Sequence, residues 1–227
     1  MSVTCLYGMQ WGDEGKGRIV DLLAAASEVV VRYQGGANAG HTVIVGEDKY
    51  VLHLLPSGVI QPSTLNIVGN GVVVDPWGLM GEIDALAERG IDLRGRLLVS
   101  DRAHVVLPHH KRMDAAFEHL RGAGHALGTT SRGIGPTYGD KSRRAGMRMA
   151  DLRHPERFSS QLEQSLVAWN AILDRAGMER VDVADALTGL QEVAERLDPF
   201  IADTTAVLLE AWRAGQSILL EGAQGFG

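Results

Sequence analysis

Val3-Thr4-Cys5-Leu6-Tyr7-Gly8-Met9-Gln10-Trp11-Gly12-Asp13-Glu14-Gly15-Lys16-Gly17-Arg18-Ile19-Val20-Asp21-Leu22-Leu23-Ala24 is the stretch on which the fold turns. Val3 to Gly8 reads as a short buried strand ending at a glycine, with Cys5 as a small core residue. A glycine-rich loop follows, and from Gly17 the apolar residues recur at helical spacing. A strand that runs through glycines into a helix start lets backbone N–H groups converge on an anion, and the helix end adds favourable partial charge. Lys16 stands where a phosphate-loop lysine neutralises terminal phosphates. The pattern G-x-x-x-x-G-K-[ST] is nevertheless broken twice. Six residues separate Gly8 from Gly15, and Gly17 replaces the hydroxyl residue that would meet Mg²⁺. Asp13 and Glu14 also lie inside the loop, where carboxylates would repel a phosphate. They make sense if a metal ion shares the site, or if one of them moves a proton.

Working outward, Glu28 to Tyr33 is a second strand, β-branched in its middle, leading to a glycine-rich loop from Gln34 to His41. Thr42 to Leu55 alternates about a polar Gly46–Lys49 tip and predicts a hairpin. Leu65 to Val74 predicts a strand interrupted by Gly69-Asn70-Gly71, and Pro76 to Ala87 an amphipathic helix. Leu97 to Ser100 fits a buried strand and Pro108 to Leu120 a helix. A glycine- and threonine-rich loop from Gly122 to Gly139 is too long for a mere connector, which favours a functional role. The region of about 154–215 is strongly helical in character, and Ser217 to Glu221 is a last buried strand before Gly222-Ala223-Gln224-Gly225. Strands alternating with helices, with glycines where strands end, predict a single α/β domain over 1–227 with a mostly parallel sheet and a variant phosphate-loop nucleotide-binding fold. Ligands of such sheets sit beyond the carboxyl ends of the strands.

Composition narrows the function. The 227 residues are 45% hydrophobic and 22% charged, as in an ordinary globular protein. A net charge of −6 argues against a nucleic-acid binder, whose affinity rests on Lys and Arg neutralising phosphates. The basic group Lys141, Arg143, Arg144 and Arg148 suits one small anion. No apolar run is long enough to span a bilayer and no secretory signal is visible, so a cytoplasmic enzyme is expected. His109-His110 lack a metal-ligand pattern and read as surface or helix-start residues. Trp169 and Trp212 read as core or interface aromatics.

Gln10 to Gly17 resembles the signature of adenylosuccinate synthetases. The resemblance continues, in order, through Val31–Gly36, Asn38–Thr42, Leu52–Gly58, Gly69–Val73, Gly128–Pro136, Tyr138, Asp140-Lys141 and Glu221–Gly225. It therefore covers essentially the whole chain. It implies a GTP-dependent ligase that condenses IMP with L-aspartate to adenylosuccinate, the first committed step of AMP synthesis, through a 6-phosphoryl-IMP intermediate. The first step needs a base to take the purine N1 proton, so that the 6-oxygen becomes nucleophilic. By resemblance Asp13 is that base and also holds Mg²⁺, with the Gly40 carbonyl as a second metal contact. Lys16 and the backbone of Gly12, Gly15 and Gly17 position and neutralise the phosphates. The implied GTP site runs over Gly12, Asp13, Glu14, Gly15, Lys16, Gly17, Arg18, Gly40, His41 and Thr42. His41 matches the general acid that stabilises the departing GDP. Asp13, Asn38, Thr130 and Gln224 match IMP contacts, Gln224 at the purine 6-oxygen. Arg144 matches an arginine lent across a homodimer interface to the partner's IMP phosphate, with Arg143 one residue before it.

A viral relative acts on dGMP with the loop aspartate replaced, so Asp13 points to the IMP enzyme. By the same resemblance, the parts that bind aspartate and read guanine lie beyond Gly227, and a C-terminal portion of the ligase is expected to be absent. An incomplete record, a cleaved chain and a split protein completed by a partner all fit that expectation. Two functions of different class follow: a ligase active when completed, and a non-catalytic nucleotide-binding or assembly fragment. An unrelated phosphate-loop NTPase is disfavoured by Gly17.

Overall fold

The computed structural model describes residues 2–8, 16–45, 48–122 and 128–223. Gly12, Asp13, Glu14, Gly15 and Gln224 lie outside the described residues. So does the Gly46-Glu47 part of the expected hairpin tip.

In chain order, β1 (Val3–Leu6) precedes α1 (Lys16–Ala25) and β2 (Val29–Gly35). β3 (His41–Val45) and β4 (Asp48–Leu52) form the expected antiparallel hairpin as a separate two-stranded sheet. β5 (Leu65–Val74), α2 (Pro76–Ala87), β6 (Leu97–Ser100) and β7 (His104–Val105) follow. Then come α3 (Pro108–Arg121), α4 (Ile134–Arg143), α5 (Pro155–Arg175), α6 (Val183–Leu187) and α7 (Leu190–Leu197). The run closes with β8 (Ile201–Ala202), α8 (Thr204–Arg213) and β9 (Ile218–Glu221).

The main sheet has the order β1-β9-β2-β5-β6-β8, with β7 on the far end of β5, and all its pairings are parallel. The α/β reading with a mostly parallel sheet is therefore borne out. β2 is apolar and buried on both faces because helices cover both. Val29, Val31 and Ile218 pack toward α8, while Val30 and Leu219 pack on Val20 and Ala24 of α1. The larger core lies under α2, α3, α5 and α7.

Several local expectations are corrected. Cys5 is exposed, because among the described residues β1 lies at the edge of the sheet and pairs with β9 alone. Val3 and Tyr7 are each about half exposed, as is Ile19, and Leu22 on α1 is 75% exposed. β5 is not interrupted at Gly69-Asn70-Gly71. Its register against β2 shifts between Arg32 and Gln34, and a Cβ on Gly71 would lie 2.0 Å from the Tyr33 carbonyl oxygen. The glycines admit a bulge rather than end the strand. The long loop expected over Gly122–Gly139 is shorter, since α4 starts at Ile134 behind a left-handed Gly133. Burial of Ile134 and Thr137 overrides the poor helix propensity of Gly135 and Gly139. The short strands β7 and β8 went unread, being two residues each.

Candidate functional site

β9 slots between β1 and β2, so Leu6, Glu221 and Arg32 stand in register at the carboxyl edge of the sheet. Glu221 and Arg32 are both fully buried and share the face that carries Val30 and Leu219. Each strand end here is followed by one of the glycine segments singled out above. α1 crosses this face with Asp21, β3 brings His41, and the turn Ser57–Ile60 brings Ser57.

The geometry around Glu221 is closely specified. His41 Nδ1 lies 2.8 Å from its Oε1, and the Ser57 N–H donates to its Oε2 at 2.9 Å. Burial would push the Glu221 carboxyl up, but His41, Arg32 and the Ser57 N–H outweigh it and hold the carboxyl below its usual range. Burial pushes the Asp21 carboxyl up, with His41 opposing and Glu221 reinforcing the shift. Arg32 donates to the Gly36 carbonyl at 3.1 Å. Among the described residues its Nε and its other terminal nitrogen have no partner, nor do Asp21 Oδ1, Asn38 Oδ1 and Ser57 Oγ. Unsatisfied buried polar groups cost about 1–3 kcal/mol each, so their concentration at one strand edge marks a place shaped for a polar ligand.

The loop carrying Asn38, Gly40 and His41 is tied down from the other side of the fold. Arg132 donates to the Ala37 carbonyl. The Tyr138 hydroxyl accepts from the Gly35 N–H at 2.8 Å and donates to the Gly71 carbonyl at 2.7 Å. A Cβ on Gly36 would meet Ile134 Cδ1 at 2.5 Å, so this loop packs hard against α4. Glu82 of α2 accepts from the backbone N–H groups of His53, Leu54 and Leu55, which fixes the segment leading to Ser57.

The structure brings β3, which starts with His41 and Thr42, against α1, the helix that starts with Lys16, Gly17 and Arg18, and Asn38 and Gly40 lie in the segment leading into β3. Thr130 is exposed. Arg144 is exposed at the end of α4 in a left-handed conformation, φ 63°. Of the two neighbouring arginines, Arg143 is committed: it pairs with Asp140 and stacks 4.5 Å from the Trp169 ring. The Arg144 backbone N–H caps α4 on the Lys141 carbonyl, but its side chain has no hydrogen bond or ion pair to the described residues, and with Gln161, Gln164 and Ser165 it lines a cavity of about 370 Å³. Arg32, Ser57, Tyr138 and Glu221 lie in the segments that carry the resemblance, but the sequence reading gives them no role, nor does it give one to Asp21. A charged residue inside an otherwise apolar strand was the available signal for Arg32.

His109 and His110 do start a helix, but they are fully buried rather than on the surface. With Asp140 they form a cluster of metal-ligand type. The hydrogen bonds argue for a structural hub instead. Leu107 N–H donates to His110 Nδ1 at 3.0 Å, so the ring proton sits on Nε2 and faces Asp140 Oδ2 at 3.0 Å. A cation on Nε2 would have to displace that proton from a ring whose other nitrogen is already engaged. His109 is pushed down to about 3, first by burial and then by His110, and stays neutral.

A parallel sheet covered by helices on both faces, with buried polar atoms gathered at its carboxyl edge, is an α/β architecture whose ligands sit beyond that edge. The sequence model of adenylosuccinate synthetase matches residues 5–227. The adenylosuccinate synthetase of Frankia alni is 50% identical over 226 residues, covering 99% of this chain and 52% of that protein. That of Synechococcus elongatus is 49% identical, covering 99% and 50%. The fully ligated adenylosuccinate synthetase of Plasmodium falciparum superposes with a TM-score of 0.87 at 35% identity, over 98% of this chain and 51% of that one. The succinoaminodeoxyadenylate synthetase of cyanophage S-2L, solved with dGMP and dATP as an energy donor, gives 0.63 at 25% identity, over 99% and 52%. The chain belongs to the adenylosuccinate synthetase family. It spans about half the length of the curated relatives it matches.

Proposed function

We propose that this chain carries the phosphate-binding and IMP-binding half of a GTP-dependent ligase that joins IMP to L-aspartate. The observation that carries the reading is the buried edge where His41, Glu221 and Arg32 meet Asp21 of α1. Family membership gives that edge its chemistry.

In this reading Asp13 removes the purine N1 proton, and the 6-oxygen attacks the γ-phosphate of GTP to form 6-phosphoryl-IMP. The aspartate amine then displaces phosphate. Lys16 with the loop backbone of Gly12, Gly15 and Gly17 neutralises and aligns the phosphates, and Glu14, Arg18 and Thr42 complete the GTP contacts. His41 donates a proton toward the departing GDP. Asn38 and Thr130 hold IMP, and Gln224 the purine 6-oxygen. Asp13 and the Gly40 carbonyl are the ligands for Mg²⁺, which supplies charge neutralisation at the phosphates when bound. The donor chemistry here fits such a hard cation, since Asn38 Oδ1, two residues before Gly40, is a buried oxygen without a partner among the described residues. Arg144, the uncommitted arginine of its pair, reaches the IMP phosphate of a second copy in a homodimer. Among the described residues no helix is long and apolar enough to cross a membrane, and a cytoplasmic location is part of the same proposal.

The test is adenylosuccinate formation from IMP, L-aspartate, GTP and Mg²⁺. It is run with this chain alone and with a polypeptide matching the second half of its relatives. Product that requires Asp13 and His41 is the expected result. A completed protein that binds GTP and IMP yet forms no adenylosuccinate would overturn the ligase reading in favour of a binding or assembly role.

A further inference from the structure

We propose that Glu221 is a positioning residue for His41: its carboxylate accepts the hydrogen bond of the Nδ1–H and so turns Nε2, the nitrogen that carries the donated proton once the ring is doubly protonated, toward the nucleotide. This rests on His41 as the proton donor in the reading above and adds a residue to that machinery.

Geometry singles out Glu221 for the role. Its Oε1 has His41 Nδ1 at 2.8 Å, and the ring is only 11% exposed while the carboxylate is wholly buried. Among the described residues, that oxygen has no other hydrogen-bond partner. The other oxygen is fixed by the Ser57 N–H, so the carboxylate cannot turn away. Arg32, in register on the neighbouring strand, keeps a positive charge beside it. A carboxylate anchored on one oxygen, ionised, and with its second oxygen at an imidazole Nδ1 is the arrangement that sets a histidine's tautomer and orientation. Asp21 also faces His41, but burial raises its carboxyl, so it is the weaker claimant for the ring proton.

A plainer role for Glu221 is to neutralise the buried Arg32. That role predicts lost stability in a variant and leaves the His41 ring proton where it was. The two are separated by long-range ¹H–¹⁵N correlation spectra of the histidine rings in the 227-residue chain, with His41 identified by the loss of its signals in His41→Asn. The parent is expected to show the neutral His41 ring protonated on Nδ1. In Glu221→Gln that signature is lost and the Nδ1 shift moves toward the unprotonated position. Glu221→Asp, which keeps the charge, recovers it in part. A parent spectrum with the proton on Nε2 overturns the proposal even if the variants fail to fold. An unchanged Nδ1–H signature in a folded Glu221→Gln chain overturns it as well.

In the completed ligase, Glu221→Gln is expected to lower kcat on the order of 10²- to 10⁴-fold, with KM for IMP and GTP changed little. Unchanged kcat would sink the proposal. If the parent ligase also lacks turnover, the ligase reading fails while the tautomer result still decides the role of Glu221.

Discussion

Asp140 is expected to be the costliest polar side chain to remove from this chain. It is fully buried, and its Oδ2 takes both His110 Nε2 at 3.0 Å and Trp169 Nε1 at 3.2 Å, while Oδ1 takes Arg143. Asp140→Ala strands an imidazole N–H and an indole N–H in the interior, each worth about 1–3 kcal/mol in lost solvation. Arg143 is half-exposed and returns to water, so it adds little. The sum is about 2–6 kcal/mol, bracketing the roughly 3–5 kcal/mol for breaking a buried pair. Asp140→Asn keeps an acceptor for the two interior donors and turns its amide toward the side Arg143 vacates, for about 1–2 kcal/mol. With a urea m-value of about 3 kcal/mol/M, the alanine midpoint falls by roughly 1–2 M. Acid gives an independent check. Burial pushes the Asp140 carboxyl up, but His110, Arg143 and Trp169 outweigh it and hold the carboxyl low. A depressed carboxyl contributes stability above its unfolded pKa of about 3.9 and loses it as pH falls through the folded value. The gap between parent and Asp140→Ala should therefore narrow below about pH 4. An alanine variant within 1 kcal/mol of the parent, or a gap that widens in acid, would refute this reasoning.

Gly71→Ala should prevent stable folding, because its Cβ would sit 2.0 Å from the Tyr33 carbonyl oxygen, whereas Gly81→Ala in α2 meets nothing within 4 Å. The latter should raise stability by about 0.8–1 kcal/mol, read by urea denaturation. The Cys5 thiol should react with a maleimide without denaturant, since its strand is an exposed edge; protection in the isolated chain would show that the edge is covered. Asp13→Ala in the completed ligase should lose turnover by about 10²- to 10⁴-fold while GTP affinity is largely kept. Lost GTP affinity with turnover preserved would remove Asp13 from the role of base.

Much of the fold was legible because two periodicities and the glycines agreed. Pro76–Ala87 and Leu97–Ser100 are legible to their observed ends, since proline, Asp75 as helix cap and a short apolar run all signal locally. What was not legible depended on partners distant in sequence. Cys5 looks like a core residue by its neighbours, yet among the described residues β1 has only β9 beside it, and nothing in Val3–Leu6 announces an edge. α4 hid in a glycine-rich stretch because its stability comes from burying Ile134 and Thr137 rather than from propensity. The site divides the same way. Asn38, Gly40, His41 and Thr42 could be placed through a motif, whereas Asp21, Arg32 and Ser57 emerge only where α1, β2 and the Ser57 turn converge.

That convergence waits on the last strand. β9 must insert between β1 and β2, which lie about two hundred residues earlier in the chain, before Glu221 can reach Arg32, Ser57 and His41. Contacts of such sequence separation form late and slowly, because loop closure is unfavourable until they are made. Until β9 docks, the guanidinium of Arg32 has no carboxylate at its register position, and burying it uncompensated is strongly unfavourable. Closing the sheet and assembling the His41–Glu221 pair are therefore one event. A chain in which β9 is displaced would lose the ordered position of His41 along with the centre of its sheet, so the site exists only in the fully closed fold.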